Sequence, residues 1–401
     1  MRVTGQQRLI RVLLLYLCVV FPPVPDRADT DAADPPTRQK AVALFAQGKR
    51  LEALPLLQAL AEQNPQDAEL LVALAASLID HAATLSDPEA AGKERFRAAD
   101  LVKKAWELGD TSPLGENLRQ LLGELPADGA LKFSANPAVE QVMSAGEAAF
   151  ARRDFGAALR DYAQALELEP ANYSAVLFTG NTYDRKNDFA QASVWYERAI
   201  RLDPNVETAY RYYADMLAKQ GDMVKSRSLL IHAAVAEPYN KIVWREIRAW
   251  AIINNTAFNI VYVGIPRPPK AALQSRSVSS AWSKYYSVRS DWQKGGKFHE
   301  QFPQEAGYRH SLPEESEALT AAAKTLEKLK RDQKTRDSVA GDPVAGLLLK
   351  LHEAGLIDPY VLFSLGDDDL AKDYGAYRAS NRAKLENYLD QFVMPRVAAR
   401  Q

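Results

Sequence analysis

Pro170, Pro204 and Pro238 stand at equal intervals, and so do Asp154, Asp188 and Asp222. Ala165, Ala199 and Ala233 keep the same register, as do Gly146, Gly180 and Ala214. Tyr162, Tyr196 and Leu230 match, and so do Ala149, Tyr183 and Leu217. A period of about 34 residues held at this many positions constrains the fold more than composition does. Each period is one supersecondary unit that cannot bury its apolar face alone, so neighbours must stack.

The physical role of each position follows from its chemistry. Small residues at Gly146, Gly180 and Ala214 let one helix of a pair approach the other, and the residues three positions on fill the gap above. Asp154, Asp188 and Asp222 stand where a second helix begins and can accept from its free N–H groups. The residue before each is Arg153, Asn187 or Gly221; Gly and Asn suit the left-handed turn that ends a helix, and Arg is the poor fit. Each Pro stops the second helix. Ala158, Ala165, Ala192 and Ala199 are predicted to be buried between helices.

This ordering resembles the tetratricopeptide repeat family, built of helix–turn–helix units with that spacing. Clear units cover 139–172, 173–206 and 207–240. Two weaker ones precede them in a degenerate helical block, 33–126. The first has Ala41, Leu44, Ala53, Leu57, Leu60 and Pro65 in order. The second has Leu71, Leu74, Ala75 and Leu78, then an insertion, HAATLSDPEAAGKE, before Ala98, Val102 and Ala105. Residues 127–138 read as a linker. A terminal helix with Trp244, Ile247 and Ala251 extends the solenoid over 139–257. The expected fold class is all-α: a solenoid followed by a mostly helical C-terminal region, 258–401.

The resemblance implies that a peptide or protein partner lies in a concave groove lined by first helices. By repeat position that face holds Glu140, Met143, Glu147 and Phe150, then Ser174, Leu177, Asn181, Asp184 and Arg185, then Thr208, Arg211, Tyr212, Asp215 and Lys219. Asn181 occupies a position where the family's groove asparagines hold a peptide backbone, an amide being both donor and acceptor. Arg185, Arg211 and Lys219 would meet acidic groups. The family's two-carboxylate clamp is not matched, because Met143 and Glu147 stand where its Lys and Asn would lie.

Composition narrows the alternatives. A formal net charge of -1 with mixed signs along the chain offers no basic field for nucleic acid. The single Cys, Cys18, excludes disulfide staples and a Cys-based zinc site. Arg2, Arg8 and Arg11 precede an apolar run from Val12 to Phe21, which reads as an export signal over 1–32 with Thr30 and Ala32 at the expected cleavage region. A retained anchor is the second reading. Lipidation at Cys18 is the third, with Leu17 standing where a small residue belongs. No membrane span is expected in the mature chain, whose place would be the periplasm or the outside of a bacterial cell.

In the C-terminal region, SLPEESEALTAAAKTLEKLKRDQK opens on a capping box from Ser311 to Glu314. Asp342-Pro343 and Asp358-Pro359 each announce a short helix, and Asp367 to Asp369 begin another. His299-Glu300 is half of a zinc-protease motif, with Pro303 where the second His belongs. The glycines of GDPVAGLLLK lack the phosphate-loop Lys, Leu347 standing in its place. His299, Glu300, Glu305 and His310 read as solvated surface residues, so no metal or other cofactor is expected. Trp282, Tyr285, Tyr286, Trp292, Phe298, Phe302 and Tyr308 fit a cap over the solenoid end. The resulting expectation is a non-catalytic scaffold in an envelope or secretion-related assembly. An enzyme with its site in the C-terminal region is the first alternative. A carbohydrate-binding module using those aromatics is the second.

Overall fold

A computed structural model of the chain describes residues 36–85, 87–123, 133–254, 256, 258–259, 263, 276–294 and 296–394. Among the described residues every regular element is a helix. The export segment and most of the β-like run FNIVYVGIPRPP lie outside them, as does the first half of the 127–138 linker. The chain divides into two compact units, Met1–Ala236 and Glu237–Gln401.

The first unit is a succession of antiparallel helix pairs. α1 (Pro36–Ala46) pairs with α2 (Arg50–Gln63), and α3 (Ala68–Thr84) with α4 (Pro88–Glu107). α5 (Pro113–Gly123) packs on α4 and α3. α6 (Pro137–Ala151) pairs with α7 (Phe155–Leu168), α8 (Tyr173–Arg185) with α9 (Phe189–Leu202), and α10 (Glu207–Lys219) with α11 (Met223–Ala236). The second helix of each central pair packs on the first helix of the next, and α3 packs directly on α6. The insertion expected before α4 is absorbed differently: α3 runs on to Thr84 and α4 restarts at Pro88, so most of it is helical.

Local chemistry explains the pairs. Asp154 accepts from Ala157 N–H at 3.0 Å, Asp188 from Gln191 N–H at 3.2 Å and Asp222 from Lys225 N–H at 3.0 Å, so all three cap second helices. The residues before them are left-handed: Arg153 at φ 63°, Asn187 at 60° and Gly221 at 85°. A Cβ on Gly146 would lie 2.5 Å from the Tyr162 ring, and one on Gly180 3.0 Å from the Tyr196 ring. Ala158, Ala165, Ala192 and Ala199 are fully buried at the same contacts.

The second unit begins with α12 (Lys241–Ile253), the helix that sequence alone appends to the repeats. It continues through α13 (Arg276–Lys294), α14 (Lys297–Gln301), α15 (Leu312–Arg331), α16 (Arg336–Ala340), α17 (Pro343–Glu353), α18 (Ile357–Ser364) and α19 (Asp368–Tyr388). A π-helical turn, Leu389–Val393, closes α19. Asp342 caps α17 and Asp367 caps α19; Asp358 and Pro359 instead lie inside the first turn of α18.

The capping box does not form. Ser311 makes no side-chain cap bond to α15, and the Glu314 carboxylate that would reach back to the Ser311 N–H accepts from Arg289 and Tyr308. Asp373 of α19 accepts from Leu312 N–H at 2.8 Å instead.

Candidate functional site

The first helices α6, α8 and α10 carry every residue expected on the groove, and most are enclosed. Met143, Phe150, Leu177 and Tyr212 belong to the hydrophobic core of the repeats. They hold helices together, a correction to their reading as partner-facing residues: side chains that apolar fill the space between packed helices first. Ser174, Thr208, Asn181 and Asp184 are also buried.

The charged positions have partners inside the fold. Arg211 donates through Nε to Glu207 at 2.7 Å, and both side chains are buried. It is therefore no spare fork for a ligand carboxylate. Lys219 pairs with Asp215 at 2.6 Å. Glu140 accepts from the N–H groups of Phe133 and Ser134, at 2.6 and 3.0 Å, and so anchors the segment that leads into α6. Arg185 is half-buried.

Glu147 is the electrostatic centre. Tyr162 donates to its carboxylate, yet burial pushes the Glu147 pKa up to about 8, with the nearby Asp80 charge adding to the rise against the Tyr162 bond. Asp80, on α3, is itself pushed up to about 6 by burial, while the positive charges of Arg50 and Arg185 pull the other way. Arg50 lies 3.6 Å from Asp80. Burial and the repulsion between the two carboxyls favour a single charge on the pair, and Arg50 beside Asp80 favours placing it there. Asp80 was missed in the sequence, although a lone Asp inside the apolar run LVALAASLIDHAAT is the signal that could have found it.

Asn181 has a residue exposure of 5 %, and its amide is not among the buried polar groups left without a partner. It sits in the middle pair of the three, on the face where α6 carries Glu147 and α8 carries Asp184 and Arg185.

The C-terminal candidates separate rather than converge. His299 is exposed on α14, Glu305 pairs with Arg309, and His310 bonds Glu315 and Asp367. Among the described residues no three His, Cys, Asp or Glu side chains form a group that could hold a metal ion. Trp282, Tyr285, Trp292 and Phe298 are buried, which removes them as a stacking platform for sugar rings. No helix among the described residues is long and apolar enough to cross a membrane.

No curated protein matches the chain. Among solved structures, the crystal structure of the P58(IPK) TPR domain at 2.5 Å is similar, with 14% identity, 88% of this chain and 96% of that chain covered, and a TM-score of 0.27. The family model of the tetratricopeptide repeat matches over 143–207 and again over 180–240. Three stacked helix pairs at the repeat period accompany that match, so residues 143–240 are similar in sequence and in helix pairing to tetratricopeptide repeats.

Proposed function

We propose that this chain is a non-catalytic scaffold that binds a peptide or protein partner through the repeat face centred on Asn181. The observation that carries the reading is the place of Asn181: an amide on the repeat face, 5 % exposed as a residue, with Glu147 of α6 and Asp184 and Arg185 of α8 on the same face. An amide at such a position can donate to and accept from a ligand backbone at once. Arg185 and Asp184 beside it would bias the choice of ligand. Arg211 supports the face through Glu207 rather than by contacting the partner.

The test is titration of a captured partner against Asn181→Ala, with circular dichroism as the folding control and His299→Ala as the comparison. One lost hydrogen bond lowers affinity about tenfold. Unchanged binding in Asn181→Ala would remove the groove from the proposal. Loss of function in His299→Ala alone would favour the C-terminal enzyme.

The export reading is part of the same proposal: the scaffold works in an envelope or secretion-related assembly of a bacterial cell. Its support is the basic start and short apolar run of residues 1–32. Intact-mass measurement of protein recovered from the native cell should show a chain that lacks this segment. Recovery of the full chain with Met1 from cytoplasm would sink the export claim.

A further inference from the structure

The second unit holds a charge network that the repeat function does not use. Arg289 of α13 donates to Glu314 and to Glu315 of α15, each at 2.5 Å. Tyr285 donates to Glu315 at 2.7 Å and Tyr308 to Glu314 at 2.8 Å. Both glutamates are sealed from solvent. Arg309 bridges Glu305 to Asp373 of α19 and also donates to the Asp369 carbonyl. One imidazole closes the set: His310 Nε2 lies 2.9 Å from Glu315 and Nδ1 lies 3.0 Å from Asp367.

A neutral imidazole has one N–H and one lone pair. Placed between two carboxylates, it can donate to only one and turns its lone pair on the other. Both contacts are favourable only when the ring carries two protons. We propose that His310 is a proton-gated clasp, holding the start of α19 to the start of α15 when charged and releasing it when neutral.

The geometry also decides which side lets go. Glu315 is fixed by Arg289 and Tyr285 and has a side chain only 1% exposed. Asp367 is half-exposed and can turn one oxygen to water. Its other oxygen still accepts from Asp369 and Leu370 N–H, so α19 keeps a cap while the segment before it comes loose. Arg309 and Asp373 hold the next turn of α19 at either pH.

Burial disfavours the charged ring, but the bonds to Glu315 and Asp367 outweigh it and hold the His310 pKa above its ordinary value; the Arg289 charge opposes them and the Glu315 charge assists. A raised folded value means the contact is complete below the unfolded imidazole pKa and is lost as pH rises through the folded one. The clasp therefore closes in mild acid and opens toward alkaline pH.

The experiment compares the full chain with Asp367→Asn. Asn remains a good cap, and its amide N–H can donate to the lone pair of a neutral ring but not to the N–H of a charged one, so this variant should not loosen as the ring loses its proton. Amide exchange of residues 364–370, corrected for intrinsic rates, should accelerate about two- to fivefold in the wild type as His310 loses its proton, the range for an ion pair with one exposed partner. The same peptide in Asp367→Asn should show no such acceleration. The His310 ring signals should titrate above the ordinary imidazole value. An equal acceleration in both proteins, or a His310 midpoint at or below the ordinary imidazole value, overturns the proposal.

Discussion

Arg153 holds a left-handed backbone, φ 63°, that costs a non-glycine residue about 1–2 kcal/mol. Its guanidinium donates to the Gln47 carbonyl at 3.1 Å and lies over the Phe155 ring. Arg153→Ala keeps the strain and loses both contacts, whereas Arg153→Gly relieves the strain. The glycine variant should therefore be more stable than the alanine variant by about 1 kcal/mol in denaturant melts. The misfit at Arg153 was legible in the sequence. Its compensation was not, because Gln47 lies 106 residues away. Glu147 makes a second prediction. Its folded pKa of about 8 exceeds the ordinary 4.5, so the folded state binds the extra proton between those values. Stability should fall as pH rises across that window, by about 1.4 kcal/mol per unit at most, and Glu147→Gln should flatten the slope. An identical pH profile in the variant would refute the assignment.

Between helices, the contact at the small residues grades the repeats. Gly146→Ala brings a methyl within 2.5 Å of the Tyr162 ring, a fully buried side chain that cannot step aside. It should cost about 1–3 kcal/mol. Gly180→Ala meets Tyr196 at 3.0 Å, and a gain of about 0.5–1 kcal/mol from replacing helical Gly partly offsets the crowding. The first variant should therefore melt lower than the second; equal melting would deny the close approach. Caps at Asp154, Asp188 and Asp222 were readable because donor and acceptor lie within one turn. The capping box at Ser311 was misread because Glu314 had a stronger, distant partner in Arg289. The 81–94 insertion was legible as extra length but not as two lengthened helices, because an irregular stretch and a helix end share the same polar composition.

The whole chain joins two compact units, with the boundary between α11 and α12. Residues 33–236 expressed alone should melt cooperatively and keep strong helical circular dichroism, since α1 to α11 bury their cores against one another. A fragment without a melting transition would contradict this division. At this scale the sequence yields the solenoid by its period, but not the enclosure of the groove face. Repeat position tells which way a residue points and says nothing about what lies over it. The cap of α15 has one further effect. Its first N–H is served by Asp373, 61 residues downstream. During synthesis at about 5–20 residues per second, the start of α15 waits about 3–12 s for that carboxylate to be made. Through that interval the ribosome holds a frayed helix end beside an Arg289 already seeking Glu314. A stop codon placed before Asp373 would leave that end open for the life of the chain.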